Sequence, residues 1–158
     1  MISEPEQAEV LTICREAGFG LCVRVLCDFP AAAVVERFVG ELSAERSQHS
    51  LQVSPTLHIS GTRHIGYLSH GCQPNCRLDM LRSELITLRP VTVGEILTID
   101  YAATEDRLFR QFSCACGVAT CRRWIKGRHE AISAAGRHYL AMLPPDDERQ
   151  SMPPGADR

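Results

Sequence analysis

Cys114-Ala-Cys116-Gly-Val-Ala-Thr-Cys121 sets three thiols within eight residues, and this stretch constrains the chain around it more than any other. Zinc takes four ligands at the corners of a tetrahedron, with thiolates about 2.3 Å from the ion. A Cys-x-Cys step followed by a glycine-containing loop can wrap three sulfurs around one ion. Gly117 can take the left-handed backbone angle that such a reversal needs. Clustered thiols without a metal would be an oxidation liability, so a metal site is the expectation. Three thiolates leave one corner open. Either the site is open and catalytic, or a distant residue closes it, with His70, Cys72 and Cys76 as the candidates.

The composition around this loop narrows the class of protein. A chain of 158 residues with 44% hydrophobic and 23% charged residues can build one domain with a real core. Lys and Arg number 17 against 19 Asp and Glu, a formal net charge of -2, which argues against a general polyanion binder. Residues 105–128 do carry a local basic excess. Such runs are ordinarily solvated faces, although this one could steer an acidic substrate segment. No apolar run approaches the ~20 residues of a membrane helix, so no membrane partner is expected. The acidic start Met1-Ile-Ser-Glu-Pro-Glu lacks the parts of a secretion signal. A soluble protein of a reducing intracellular compartment is therefore expected, with Cys14, Cys22, Cys27 and Cys76 as reduced, mostly buried thiols.

Reading along the chain predicts a mainly β domain of many short strands with little helix. Gly18 and Gly20 precede the β-branched run to Cys27 and mark a turn feeding a strand. Residues 31–45 fit either strand or helix. Leu51–Val53 and Leu57–Ile59 alternate around Ser54-Pro-Thr56 as a hairpin. Leu85–Arg89 and Ile96–Tyr101 read as a second strand pair joined through Pro90 and Gly94. In that last run Leu97, Ile99 and Tyr101 share one face, which places Tyr101 at the end of a buried row. Residues 128–143 read as a helix. Residues 144–158 have little to bury and read as a disordered tail.

Two further stretches gather polar and turn-forming groups: Gly66-Tyr-Leu-Ser-His-Gly-Cys-Gln-Pro-Asn-Cys76 and Gly94-Glu-Ile-Leu-Thr-Ile-Asp-Tyr101. Together with Ala17-Gly-Phe-Gly-Leu21 and the cysteine loop through Arg122, they occur in the order of the motifs of the SET domain and its zinc-binding post-SET segment. The chain from about residue 16 to 127 thus resembles the SET-domain protein lysine methyltransferases, in a compact, stand-alone form. Ser69-His-Gly-Cys-Gln-Pro-Asn75 is similar to the family's Asn-His-Ser-Cys-x-Pro-Asn, and residues 94–101 to its Gly-Glu-x-Leu-Thr-x-Asp-Tyr.

The resemblance implies a SET fold, with short strands in several small sheets and a pseudoknot, plus a zinc-stapled post-SET loop and a C-terminal helix. The implied divisions are an extension over 1–15, the SET domain over 16–112, the post-SET segment over 113–127, the helix over 128–143 and the tail over 144–158. It implies Tyr101 as the catalytic residue. It assigns Ala17, Gly18, Phe19, Gly20, Ser69, His70 and Trp124 to S-adenosylmethionine, and Cys72 to one structural zinc with Cys114, Cys116 and Cys121. The implied partner is a protein lysine, with nucleic acid not expected as the direct substrate. The alternatives are a non-catalytic SET-like binding module and a SET-fold enzyme acting on a small molecule. Four departures bear on the choice. Ser69 stands for the usual asparagine, Gly71 for serine and Gly66 for arginine, and the insert between Glu41 and Gly66 is short.

Overall fold

The computed structural model describes residues 9–145. They form twelve strands of two to six residues, grouped into three two-stranded and two three-stranded sheets, with two short α-helices. The architecture is mainly β, as the density of Gly, Pro and Ser punctuation predicts. No helix among the described residues is long and apolar enough to cross a membrane.

The first sheet is a hairpin of Leu11–Glu16 and Gly20–Val25, in register from Leu11↔Val25 to Glu16↔Gly20. Gly18 and Gly20 sit at φ of 83° and 72°, a region that a side chain would strain. One face carries Leu11, Val23 and Val25 into the core, while the other carries Cys14, Glu16, Cys22 and Arg24. Residues 11–15, within the expected extension, thus belong to the first strand. Residues 1–8 lie outside the described residues, as do residues 146–158 of the expected tail.

The pairing predicted between 85–89 and 96–101 does not form. Glu84–Thr87 instead lies between Val34–Arg37 and Cys76–Asp79 in an antiparallel sheet. Pro90 and a turn closed by Glu95 N–H on Thr92 O at 3.1 Å redirect the following segment towards the hairpin. There Leu97 N–H donates to Val23 O at 2.8 Å. Only Thr98–Ile99 is strand, running parallel to Ser69–His70. Tyr101 then opens a one-turn helix, Tyr101–Thr104, because the Asp100 carboxylate accepts the Ala102 N–H.

The ambiguous stretch 31–45 resolves into two strands, Val34–Arg37 and Glu41–Ser43. The second joins the expected hairpin of Leu51–Ser54 and Leu57–Ser60. Gln52 of this hairpin grips the segment after Tyr101 three times. Its backbone N–H donates to a Glu105 carboxylate oxygen at 2.8 Å, and its amide both donates to Asp106 Oδ2 at 2.6 Å and accepts Asp106 N–H at 2.7 Å. The helix predicted over 128–143 is confined to Ala134–Met142. Its N-cap is Ser133, and the N–H groups of Arg128 and His129 are already bonded to the carbonyls of Glu105 and Asp106.

The larger core cluster includes Leu11, Val23, Val25, Leu85, Leu97 and Ile99. Each fully buried aliphatic side chain of this kind contributes about 1.5–3 kcal/mol. A second, smaller cluster of Leu108, Cys114 and Ile125 lies beside the cysteine loop. Tyr101 packs against both clusters, so the end of the buried row is also the seam between the two parts of the molecule.

Candidate functional site

The cysteine loop is shaped by Gly117, at φ of 76°, and by the antiparallel pair Phe112–Ser113 and Trp124–Ile125 that closes its ends. The ligand atoms of Cys72, Cys114, Cys116 and Cys121 all lie within 4.8 Å of one another. Cys72 Sγ is 3.9 Å from Cys114 Sγ and 4.0 Å from Cys121 Sγ. A zinc tetrahedron with bonds of about 2.3 Å has sulfur–sulfur edges of about 3.8 Å, so the donor set fits the ion. Backbone N–H groups are already aimed at the sulfurs, from Arg122 to Cys72 and from Arg123 to Cys121, each at 3.4 Å. Of the other two candidates for the fourth corner, Cys76 is fully buried, and its thiol is pushed up to about 12 by that burial. His70 stands next to the cluster.

The parallel pairing of Ser69–His70 with Thr98–Ile99 is what brings the two central motifs together. Asn75 fastens the pairing. Its side chain accepts the Thr98 N–H at 2.8 Å and donates to Ile96 O at 2.9 Å, and its own N–H reaches Thr98 Oγ1 at 3.1 Å. Gly71 follows from this closeness, because an added Cβ would stand 3.0 Å from Thr98 Cβ. Gly66 has a similar cause. A Cβ there would come within 2.3 Å of His49 O, while the His49 Nδ1–H donates to Gly66 O at 3.0 Å and the ring lies tilted 4.5 Å from that of Tyr67.

His70 and Tyr101 meet across this pairing. Tyr101 N–H donates to His70 Nδ1 at 3.2 Å, and His70 Nε2 lies 3.4 Å from both Cys72 Sγ and an Arg122 nitrogen. Burial, helped by the Arg122 charge and opposed by Asp100, lowers His70 to about 4. The imidazole is thus neutral at physiological pH and held on both nitrogens. The Tyr101 hydroxyl donates to Leu68 O at 2.6 Å. Its ring meets those of His70 and Phe112 edge-on, at 5.3 and 5.8 Å. Part of the residue touches solvent, but the hydroxyl end is enclosed, and burial pushes the phenol up to about 12.

An open surface depression of about 530 Å³ lies beside the turn of the first hairpin. Ala17 and Phe19 line it, with Glu16, Arg24, Asn75 and Thr98. Arg24 donates to Glu16 and to Gly94 O, each at 2.6 Å, and so ties the hairpin to the second central motif. Neither Arg24 nor Glu16 stands out in the sequence, since their pairing depends on strand register. Ser69, His70 and Trp124 do not line this depression. Ser69 Oγ is buried without a hydrogen-bond partner among the described residues. The Trp124 indole donates to Gln111 Oε1 at 2.9 Å and packs 5.6 Å from Tyr139 of the C-terminal helix.

No protein-family model matches the chain. It is 29% identical over 142 residues to methyltransferase flvH of Aspergillus flavus, an alignment covering 87% of this chain and 80% of that protein. It is 30% identical over 79 residues to human histone-lysine N-methyltransferase 2B, covering 46% of this chain but 3% of that much longer protein. Two crystal structures of KRYPTONITE share the fold over 72% of this chain. One, with mCHG DNA and SAH, has a TM-score of 0.57 at 24% identity. The other, with mCHH DNA, an H3(1-15) peptide and SAH, has a TM-score of 0.58 at 23% identity. The chain spans under a third of the KRYPTONITE chains, at 28% and 29%.

Proposed function

We propose that this chain, which belongs to the SET-domain methyltransferases, transfers a methyl group from S-adenosylmethionine to the side-chain amine of a lysine in a protein. The observation that carries the reading is the Tyr101 hydroxyl, enclosed and fixed on Leu68 O at 2.6 Å where the two central motifs meet. S-adenosylmethionine, when bound, supplies the electrophilic methyl. The SAH in the KRYPTONITE structures and the flvH relative support that donor, and the H3 peptide bound to KRYPTONITE supports a protein substrate.

The residues present fit such a donor. Ala17 and Phe19 border the open depression, and Ser69, outside that lining, offers a buried hydroxyl with no partner among the described residues. Ala17, Gly18, Phe19, Gly20, Ser69 and His70 would hold it. Trp124, braced by Gln111 and Tyr139, would cover it from the cysteine loop. The four thiolates would hold one structural zinc, which shapes this loop and takes no part in the chemistry.

The reaction is an in-line displacement, in which a carbon–nitrogen bond forms as the carbon–sulfur bond breaks. It needs the lysine amine neutral, and at a free pKa of ~10.4 that costs about 4.6 kcal/mol at pH 7. A dry approach beside the edge-on rings of Tyr101, His70 and Phe112 would lower that cost through desolvation. The neutral Tyr101 hydroxyl and Leu68 O orient the amine, and alignment supplies most of the acceleration. Neutral His70 acts as a positioning residue that accepts the Tyr101 N–H at Nδ1.

The experiment is transfer of labelled methyl from S-adenosylmethionine to a histone H3 peptide and to proteins of a cell lysate, mapped by mass spectrometry. Label on lysine amines that is lost in Tyr101→Phe supports the reading. Saturable cofactor binding with no lysine labelled in either substrate pool would overturn it.

A further inference from the structure

The face of the first hairpin that carries Glu16 and Arg24 also carries two cysteines that the site above does not use. Cys14 and Cys22 are direct cross-strand partners, and their sulfurs are 3.0 Å apart. Residues facing each other in an antiparallel pair have Cα atoms about 4.5–5.5 Å apart, inside the ~4.4–6.8 Å span of a disulfide. Closing the bond therefore needs a sulfur shift of about 1 Å and no rearrangement of the strands. The two thiols differ in access. Cys14 is partly exposed, whereas Cys22 is fully buried. Arg24 neighbours Cys14 on the same face, and its guanidinium is held above its usual range chiefly by hydrogen bonding to that thiol.

We infer that Cys14 and Cys22 are a redox-active dithiol, with Cys14 as the peroxide-reactive sulfur and Cys22 as the resolving one. Cys14 sulfur attacks a hydroperoxide, the oxygen–oxygen bond breaks, and Cys14 becomes a sulfenic acid as water or alcohol leaves. Cys22 sulfur then attacks that sulfur, the sulfur–oxygen bond breaks, and a second water leaves with the Cys22 proton. Two thiols lose two electrons and the peroxide gains them. Burial and the adjacent Cys14 push the Cys22 thiol up to about 11, which keeps it from being the sulfur that meets the peroxide first; its attack on the Cys14 sulfenic acid relies on the 3.0 Å proximity of the two sulfurs. The product ties the two strands immediately behind the Ala17–Phe19 turn, between which only seven residues intervene (15–21).

The test treats the full zinc-loaded chain with hydrogen peroxide, alkylates the remaining thiols, and maps peptides. The expected result is a Cys14–Cys22 crosslink, two hydrogens lighter than the reduced peptide and reversed by dithiothreitol. It should form in Cys27→Ser and be lost in Cys14→Ser and Cys22→Ser. Cys22→Ser should still yield a dimedone-reactive sulfenic acid at Cys14. Oxidation that leaves Cys14 and Cys22 reduced while Cys27 or the loop cysteines react would overturn the inference. So would a sulfenic acid found at Cys22 in Cys14→Ser but not at Cys14 in Cys22→Ser. Because the readout is a peptide mass, it stands or falls independently of whether the chain transfers methyl groups.

Discussion

Tyr101→Phe separates what the hydroxyl does for the fold from what it does for the reaction. The ring stays, and with it the edge contacts to His70 and Phe112 at 5.3 and 5.8 Å, so packing of the seam is retained. One O–H···O=C bond of 2.6 Å is lost, and Leu68, only 3% exposed, keeps a carbonyl without that donor. A buried acceptor left unsatisfied costs about 1–3 kcal/mol. For a chain of this length that is a fall in Tm of about 2–12 °C. Methyl transfer should fall further, by about 100- to 1,000-fold, as for removal of one well-placed donor at a reacting centre. Calorimetric S-adenosylhomocysteine binding should stay within about threefold of the parent, because at 1.4 kcal/mol per tenfold that is under 1 kcal/mol. The decisive pair of assays is thermal melting and single-turnover methylation at a temperature where both proteins are folded. A variant that methylates within twofold of the parent would refute the catalytic assignment. One that loses cofactor binding and turnover together would show that the hydroxyl holds the pocket rather than the amine.

Three further outcomes follow from the geometry. Zinc-loaded protein should hold one ion per chain by metal analysis, and Cys72→Ser should lose it along with a large part of its thermal stability, since structural zinc binding is folding free energy; full zinc retention in that variant would remove Cys72 from the set. Methylation should rise with pH as the substrate amine deprotonates and should not fall at pH 10, where an ordinary tyrosine is half ionised, because Tyr101 is held neutral up to about 12; a pH–rate profile with a descending limb centred near 10 would contradict this. Gly66→Ala should destabilise the fold by about 1–3 kcal/mol, the usual cost of overpacking, because its Cβ meets His49 O at 2.3 Å; an unchanged denaturant midpoint would show that the turn over residues 47–50, closed by Ser50 N–H on Ser47 O, yields freely.

The local chemistry was legible in the sequence wherever neighbouring residues carry it. The cysteine spacing announced a metal loop, and the alternation around Ser54-Pro-Thr56 announced a hairpin that forms over Leu51–Ser60. Pairing between distant strands was not legible. Leu85–Arg89 and Ile96–Tyr101 have equally good strand patterns, and only the turn at Thr92–Glu95 and the acceptor at Val23 O decide that they part. The C-terminal helix was overextended for a related reason. The backbone donors of Arg128 and His129 are claimed by carbonyls more than twenty residues away, which no local window can see. Arg24 and Glu16 at the depression depend on strand register in the same way, as does the contact between Cys14 and Cys22.

The three bonds from Gln52 carry a mechanical consequence. They join the 51–60 hairpin to Glu105 and Asp106, one residue past the turn of helix that begins at Tyr101. A load placed on the Leu51–Ser60 strands would therefore reach the Tyr101 turn through this amide clamp, without touching the tyrosine itself. Substitutions in this hairpin then act at a distance on alignment, and Gln52→Ala would leave the phenol in place chemically while uncoupling it from whatever docks outside.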